Sequence, residues 1–252
     1  MPPFAAKSTI GTPFIELTEV GSTNIYAMEQ VQANMAAHGT VFFAFSQTAG
    51  KGRQGRDWVA EPGMNITLSA VLDCSALSLT QLFELSLVVS VACYDFFSVY
   101  APEETTIKWP NDLYWRDRKA GGILIENILR GDNWLWAIMG IGINLNQVDF
   151  PGSLKNPVSL KQITGKHFDT VTLAKELCSC LETRYREWTT SGIGEIFSKY
   201  NDLLFKKGAR VMLRKDTIVF PCIIKGVALS GELLVDNKLQ ESFRFGEVEW
   251  DR

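Results

Sequence analysis

Four strand-like segments follow one another between residues 105 and 144. They span 105–109, 112–115, 122–129 and 134–144, and polar turns at 116–118 and 131–133 separate the later ones. Gly131, Asp132 and Asn133 are typical turn residues, and connections this short join antiparallel neighbours. The sequence therefore predicts an antiparallel β-meander in the middle of the chain.

Helical and extended patterns surround this meander. Ser22 or Thr23 is a suitable cap for a helix that ends before Gly39. The segment 64–72 alternates in the way that is typical of a half-buried strand. The predicted elements are helices at 22–38, 80–99, 172–189 and 193–204, and strands at 40–45 and 64–72. We predict an α+β domain with a mostly antiparallel sheet over residues 1–205.

The character of the sequence changes from Gly208 onward. Short apolar runs alternate there with turn signals at Gly226, Gly231, 236–237 and Gly246. This pattern predicts about five short strands, the size of an SH3-like barrel. Residues 206–252 are therefore predicted to form a small C-terminal β module.

Charge and composition restrict the partners of this 252-residue chain. Its formal net charge is -3, so no global field favours nucleic acid. No uninterrupted apolar run reaches the length of a membrane span, and residues 1–4 lack the basic start of a signal peptide. Five cysteines without C-x-x-C spacing indicate buried, reduced thiols in the cytoplasm. We expect a cytoplasmic protein that binds neither DNA nor a membrane.

The sequence contains two histidines, His38 and His167. His38 precedes Gly39 at the expected end of a helix, and His167 lies in a polar stretch. We expect surface or capping roles for both, which disfavours a mechanism built on a histidine base such as a Ser-His-Asp triad.

The stretch "GKGRQG" at residues 50–55 matches the G-x-G-x-x-G fingerprint of dinucleotide-binding folds. That fingerprint requires a helix to begin at the last glycine, because the helix N-terminus binds the pyrophosphate. Here a Pro-Gly turn follows at 62–63 and no helical period is present. Three glycines with Lys51, Arg53, Arg56 and the nearby Trp58 instead suit a flexible flap that closes over an anion.

Three further stretches carry polar groups at fixed positions, although each also has a purely structural interpretation. "GSTN" at 21–24 suits a helix cap or a grip on a polar ring. "KWPND" at 108–112 fixes the direction of Asn111 and Asp112, and Lys119 is followed by two glycines that permit close approach of a ligand. "GIGIN" at 140–144 ends an apolar strand on Asn144.

The order of these motifs resembles that of the biotin protein ligase family, in the form without an N-terminal DNA-binding domain. The resemblance covers residues 21–144 by motif and continues through the small β module. It implies a class II synthetase-like catalytic fold of the lipoate and biotin ligases. It also implies an enzyme that activates biotin with MgATP as biotinyl-5′-adenylate. The biotin is then transferred to one lysine of a biotin carboxyl carrier domain.

The resemblance also implies roles for individual residues. Lys119 stands where the family's lysine lies between the biotin carboxylate and the α-phosphate. The catalytic candidates are Lys119, Arg53, Lys108 and Asp112. Biotin-binding positions are Ser22, Thr23, Asn24, Gln47, Lys51, Gly52, Arg53, Lys119, Gly121 and Gly122. Positions for ATP or the adenylate are Arg53, Arg56, Trp58, Asn111, Lys119 and Asn144. Asp112 is a candidate for a metal or for positioning the incoming lysine, and no motif assigns the metal ligands.

Two departures and two rival functions accompany the resemblance. Lys51 replaces an arginine that is common in the family, which keeps the charge without the planar fork. The 21 residues before Ser22 are too few for a winged helix-turn-helix, so we expect the enzyme without the repressor. A lipoate or octanoate ligase is the nearest alternative enzyme. A non-catalytic nucleic-acid-binding regulator is the alternative from another class, and the net charge argues against it.

Overall fold

The larger of two sheets has seven strands and carries the meander at one side. The computed structural model describes residues 8–237 and 240–251. Residues 1–4, which are predicted not to begin a signal peptide, lie outside this range. The strands are β1 (Phe14–Val20), β2 (Val41–Gln47), β3 (Asn65–Asp73), β4 (Thr105–Lys108), β5 (Asp112–Trp115), β6 (Arg118–Arg130) and β7 (Asn133–Asn144). Their spatial order is β1-β2-β3-β7-β6-β5-β4. The predicted meander and the mostly antiparallel sheet are confirmed.

Strand β1 is absent from the sequence-based prediction. It pairs with β2 in parallel, and this is the one parallel pair among the strands described for the large sheet. Its burial is incomplete along its whole length, because it lies at the sheet edge. Its apolar alternation is correspondingly weak, with Phe14, Ile15 and Leu17 as the apolar members.

Five helices cover the two faces of the large sheet. They are α1 (Thr23–Gln32), α2 (Leu82–Ser98), α3 (Leu160–Thr164), α4 (Thr170–Ser191) and α5 (Gly194–Asp202). Helices α2, α4 and α5 pack together over one face and bury the main hydrophobic core. Helix α1 lies against the other face over a small cluster that includes Ala27, Phe42 and Val71. Helix α3 was not predicted.

The two faces of β3 differ in chemistry. Ile66, Leu68, Ala70 and Leu72 belong to the main core, as the alternation predicts. The intervening residues are also buried, and β3 is not the half-buried strand that was expected. The second face carries Thr67 and Ser69 next to α1, and this is the face on which the site is built.

Helix α1 is shorter than predicted and His38 is not at its end. The helix ends at Gln32, and Asn34 adopts a positive φ of 56° two residues later. The chain then turns into β2, so that His38 is buried at 6% exposure. Its Nδ1 accepts a hydrogen bond from the backbone N–H of Asp73 at 3.2 Å. The expected surface role of His38 is therefore wrong, and the side chain instead contacts the last residue of β3.

The segment Leu79–Ser98 is long and apolar enough to cross a membrane by length and composition alone. Half of this window is buried inside the protein, where α2 packs against α4 and the sheet. The core helix of a globular domain passes the same test.

The C-terminal module is a five-stranded antiparallel sheet, which confirms the predicted number of strands. Its strands are β8 (Arg210–Lys215), β9 (Ile218–Val227), β10 (Leu233–Asp236), β11 (Ser242–Phe243) and β12 (Glu249–Trp250), in the order β11-β10-β9-β8-β12. The module rests on the meander: the indole N–H of Trp109 donates to the carbonyl of Gly231 at 3.0 Å. Gly231 has a φ of 95°, and a side chain there would lie 2.9 Å from the ring of Phe83 in α2.

Candidate active site

Three glycines, Gly122, Gly140 and Gly142, form a floor without side chains on the face that carries α1. Gly122 pairs with Gly142 across β6 and β7, while Thr67 pairs with Gly142 and Ser69 pairs with Gly140 across β3 and β7. Directly paired residues of an antiparallel sheet point to the same face. The three residues, called the glycine floor below, therefore leave room for groups that lie flat on the sheet.

A cluster of buried and half-buried polar side chains stands at one end of the glycine floor, where α1 begins. The side-chain carbonyl of Gln47 accepts hydrogen bonds from the backbone N–H of Thr23 at 2.7 Å and from its hydroxyl at 3.1 Å. The hydroxyl of Ser69 lies 2.7 Å from Thr23 Oγ1 and 2.5 Å from Asn24 Oδ1. Thr23, Asn24, Gln47 and Ser69 are called the polar cluster below. Sequence reasoning identified three of the four and missed Ser69.

Asn24 is held rigidly in the polar cluster. Its amide N–H groups donate to the carbonyl of Leu124 at 3.2 Å and to Glu126 Oε2 at 2.8 Å. A side chain on Gly140 would lie 2.8 Å from Asn24 Cγ, so the glycine is what lets the amide rest on the sheet. Asn24 thus has its donors occupied by the protein, and Glu126 is a partner that the sequence did not reveal.

Ser22 occupies the N-cap position of α1 without capping it. Its side chain makes no cap hydrogen bond, although the residue is only 3% exposed. The purely structural interpretation of the "GSTN" stretch as a helix cap is therefore not what the fold uses. The stretch instead brings polar groups of α1 to the edge of the glycine floor.

The glycine-rich loop, which is residues 50–58, forms a narrow hairpin that places Trp58 on the glycine floor. The N–H of Gly52 donates to the carbonyl of Arg56 at 2.7 Å, and the N–H of Trp58 donates to the carbonyl of Gly50 at 2.9 Å. A side chain on Gly142 would overlap the indole of Trp58. The indole N–H is buried and has no hydrogen-bond partner among the described residues. No α-helix follows this loop, which confirms that it is not a dinucleotide-binding turn.

Lys119 and Asp112 form an ion pair at the other end of the glycine floor. Lys119 Nζ donates to Asp112 Oδ1 at 2.7 Å, and both side chains are partly exposed, at 34% and 26%. A side chain on Gly122 would lie 3.3 Å from this ammonium. Gly121, also predicted to contact biotin, belongs to the opposite face, where a side chain would meet Ile143. Lys119 therefore presents a compact cation beside a bare stretch of sheet.

The backbone of Lys119 is fixed by neighbours on both sides. Its N–H donates to the carbonyl of Asn156 at 2.9 Å, and its carbonyl accepts from the N–H of Val158 at 2.9 Å. The Asn144 amide donates to the same carbonyl at 3.4 Å and to the carbonyl of Val158 at 3.1 Å. The Asn111 amide donates to the carbonyl of Ile123. The two asparagines predicted near the nucleotide therefore hold the strand that carries Lys119.

Lys108 lies in an aromatic cage that the two modules build together. Its Nζ is 4.5 Å from the ring centre of Tyr114, 5.4 Å from Phe205 and 4.9 Å from Trp250. It also donates to the hydroxyl of Tyr114 at 3.2 Å. The pKa of Lys108 is lowered to about 8, chiefly by burial; the Asp112 carboxylate opposes the shift and the charge of Lys119 contributes to it. Lys108 is paired in register with Asp112 across β4 and β5, so it lies close to the ion pair.

The three cations of the glycine-rich loop occupy different environments. Lys51 is exposed and forms a β-bridge with Asp57. Arg56 pairs with Glu249 of the C-terminal module at 3.5 Å, with both side chains mostly exposed. Arg53 is the most buried of the three, and its guanidinium lies 3.7 Å from the ring centre of Phe245. Burial lowers the pKa of Arg53, and the Asp112 carboxylate opposes that effect.

The fold therefore brings about half of the predicted site residues to one sheet face. The polar cluster, Trp58 and the Lys119–Asp112 pair follow one another along the glycine floor. Gly121, Asn111 and Asn144 instead make contacts within the fold. Lys51 and Arg56 lie at the surface. Sequence reasoning missed Ser69, Glu126 and Phe245. The small polar residues at 67 and 69 within an otherwise apolar strand were the signal for Ser69.

Comparisons with known proteins show the family of the chain. The model of the biotin/lipoate A/B protein ligase family matches residues 15–144, which is 130 of the 252 residues. A bifunctional ligase/repressor from Bacillus spizizenii is 31% identical over 238 residues, which are 93% of this chain and 73% of that protein. A biotin–[acetyl-CoA-carboxylase] ligase from Paracoccus denitrificans is 30% identical over 204 residues, 76% of this chain and 82% of that protein. The chain belongs to the biotin protein ligase family.

The similarity to a solved member of that family extends through the C-terminal module. The structure of the Aquifex aeolicus biotin protein ligase in complex with biotin and ATP superposes with a TM-score of 0.80 at 26% identity. The match covers 95% of this chain and 98% of that one. The family model itself ends at Asn144, so it includes the glycine-rich loop, the meander and the glycine floor.

Proposed function

We propose that this chain activates biotin with MgATP as biotinyl-5′-adenylate and then transfers the biotinyl group to one lysine of a carrier domain. The observation that carries the proposal is the order of groups along one sheet face. A polar cluster, a bare glycine floor with Trp58, and a cation–carboxylate pair succeed one another there. The Aquifex relative, which binds biotin and ATP, supports the same assignment.

The polar cluster favours biotin over lipoate as the acid. The ureido ring of biotin has one carbonyl and two N–H groups, whereas the dithiolane ring of lipoate has no comparable donors or acceptors. Thr23, Gln47 and Ser69 supply hydroxyl and amide groups at the point where the ring would lie. These groups can exchange hydrogen bonds with a ureido ring, whereas a dithiolane ring offers them none.

Lys119 has the chemistry that the first half-reaction needs. A carboxylate oxygen of biotin attacks the α-phosphorus of ATP, a new P–O bond forms, and the bond to the pyrophosphate leaving group breaks. Two anions must approach and negative charge grows on the phosphoryl oxygens. A fixed cation at that place stabilises the transition state more than the ground state. Asn144 and the loop at 156–158 hold the backbone of Lys119 and thereby fix the position of its ammonium.

The donor set near Lys119 fits a magnesium ion that arrives with ATP. Mg²⁺ usually binds one or two carboxylates together with substrate phosphates and water. Asp112 supplies one partly exposed carboxylate at this place, and the residues at 8–237 and 240–251 form no cluster of three acidic or thiol ligands. Asp112 would hold the ion together with the ATP phosphates, whose charge the ion would reduce.

The second half-reaction uses the same groups. The neutral amine of the carrier lysine attacks the acyl carbonyl of the adenylate, and an amide bond forms. AMP leaves with the electrons of the broken anhydride bond, and the amine loses a proton. We assign to Asp112 the positioning of the incoming lysine, and to the glycine-rich loop the exclusion of water from the anhydride. Arg53 belongs to that loop, and the Asp112 carboxylate opposes the lowering of its pKa by burial.

The carrier and the compartment belong to the same proposal. A carboxylase of the kind named for the Paracoccus relative, an acetyl-CoA carboxylase, supplies the carrier domain. Cys93, Cys178, Cys180 and Cys222 are free thiols, and three of these four are buried. Free thiols are typical of a reducing compartment, which supports a cytoplasmic enzyme.

The test is transfer of labelled biotin to a biotin carboxyl carrier domain. We expect labelling that needs ATP and a divalent cation, that stops when a chelator is added, and that an excess of lipoate does not reduce. Labelling of the carrier by lipoate in preference to biotin would instead establish the alternative lipoate ligase. The absence of any acyl-adenylate with either acid would refute the proposal.

A further inference from the structure

Phe245 of the C-terminal module lies directly against the glycine-rich loop. The guanidinium carbon of Arg53 is 3.7 Å from the centre of the Phe245 ring. That ring in turn packs edge-on against Trp109 of the meander, with ring centres 6.1 Å apart. Trp109 is itself anchored to the module through Gly231. The stacking partner of Arg53 is therefore held by two separate parts of the fold.

Arg56, the other cation of the loop that reaches the C-terminal module, makes a weaker contact. Arg56 and Glu249 are 3.5 Å apart and their side chains are 71% and 60% exposed, so water screens their attraction. A cavity of about 420 Å³ opens beside Arg53 and is lined by residues such as Phe83, Ser86 and Pro110. Arg53 thus has space to move on that side, and the Phe245 ring is what fixes its plane.

The hydrogen-bonding edge of Arg53 is free. Over the residues that the structure describes, its guanidinium has no hydrogen bond or ion pair, and its packing contact is with Phe245. A guanidinium that stacks through its face keeps its five N–H groups in one plane for an anion. Arg53 and Pro110 line the same cavity, and Pro110 lies two residues before Asp112, so Arg53 is close to the segment that carries the ion pair.

We propose that Phe245 is a positioning residue for Arg53, holding the guanidinium where its N–H groups meet the phosphate of the acyl-adenylate. The inference rests on the proposed function and adds that the C-terminal module takes part in retaining the intermediate. Phe245 touches neither substrate nor reacting atoms, and it acts through Arg53. Loss of the ring would leave the loop able to close but the cation free to turn away.

The experiment compares four variants: Phe245→Leu, Phe245→Tyr, Arg53→Ala and the double variant Arg53→Ala/Phe245→Leu. Phe245 is 41% exposed, so its replacement does not threaten folding. Phe220→Leu is the matched control, because Phe220 is an aromatic residue of the same module that packs against Phe243, 5.6 Å away. The readout is the ratio of AMP released to carrier labelled, together with kcat and KM for biotin.

We expect Phe245→Leu to increase uncoupled AMP release by about 3- to 30-fold, the range of a cation–π contact, with little change in KM for biotin. Phe245→Tyr should restore coupling, Phe220→Leu should remain coupled, and the double variant should be no worse than Arg53→Ala. Wild-type coupling in Phe245→Leu, or additive effects in the double variant, would overturn the inference.

A second readout does not depend on catalysis. Trypsin cleaves after Arg53 and Arg56, and the stacked side chain of Arg53 is the less accessible one. Phe245→Leu should speed cleavage after Arg53 more than cleavage after Arg56, and equal cleavage ratios in the variant and the wild type would count against the stack. If the wild type forms no adenylate, the proposed function fails while this cleavage test still decides the contact.

Discussion

Replacing Lys119 with alanine should slow adenylate formation without unfolding the protein. Removing one preorganised donor that faces developing charge typically costs on the order of 100- to 1000-fold in kcat, and we expect a loss of that size here. The stability cost is small because the ion pair with Asp112 is partly exposed, and exposed pairs contribute about 0–1 kcal/mol. Strand β6 stays in place without the lysine side chain. It is held by four hydrogen bonds to or among residues 144, 156 and 158, and none of them uses the ammonium of Lys119.

The assay is single-turnover formation of biotinyl-adenylate from saturating biotin and MgATP. Lys108→Ala is the control, since Lys108 is a lysine of the same meander, on strand β4 at the edge of the sheet, but lies in its aromatic cage. We expect a much smaller loss of rate for Lys108→Ala than for Lys119→Ala. Lys119→Arg should not restore the rate fully, because a planar fork does not replace a compact ammonium between two oxyanions.

Two results would refute this reasoning. Adenylation by Lys119→Ala at a rate near that of the wild type would remove Lys119 from the mechanism. A larger loss in Lys108→Ala would move the catalytic role to the caged lysine. Urea unfolding of each variant separates these outcomes from loss of structure.

Three other changes test the surroundings of the site. Ser69→Ala removes a fully buried hydroxyl from Thr23 and Asn24. It should raise KM for biotin, leave KM for ATP unchanged and cost about 1–3 kcal/mol of stability. An unchanged KM for biotin would exclude the polar cluster from biotin binding. Gly142→Ala should displace the indole of Trp58 and speed dissociation of the adenylate, measured by gel filtration of the preformed complex; unaltered dissociation would show that Trp58 does not cover the ligand. The folded-state pKa of Lys108 is about 8 against an ordinary 10.5, so between these pH values the unfolded chain binds more protons and the free energy of unfolding should rise with pH. That rise should be present in the wild type and absent in Lys108→Met when both are unfolded in urea, and parallel pH profiles would contradict it.

The antiparallel meander and the five-stranded module were predictable because their signals are local. Turn residues at 116–118 and 131–133 fix the hairpins, and the strand bounds differ from the prediction by a few residues at most positions. Helix α1 was overestimated because an apolar residue, Met35, continues the helical period beyond its end. Met35 is 72% exposed, so no packing extends the helix to include it.

The site was predictable only as far as its motifs are contiguous. Lys119, Asp112, Thr23 and Gln47 belong to short patterns whose residue types already suggest a polar ligand. Ser69 contacts Asn24, which is 45 positions away in the sequence, and Glu126 contacts Asn24 from 102 positions away. No local pattern in the sequence marks such a pair. Phe245 is similar, because its importance depends on how the module docks on Trp109.

The strict alternation of β3 has a practical consequence for protein engineering. Its even-numbered side chains belong to the core and its odd-numbered ones, including Thr67 and Ser69, lie on the face of the glycine floor. A library that varies only residues 67 and 69 would therefore sample the shape and polarity of the acid pocket while the hydrophobic interior keeps its composition. The same randomisation shifted by one position would exchange Ile66 and Leu68 instead, and would mostly return proteins that no longer fold.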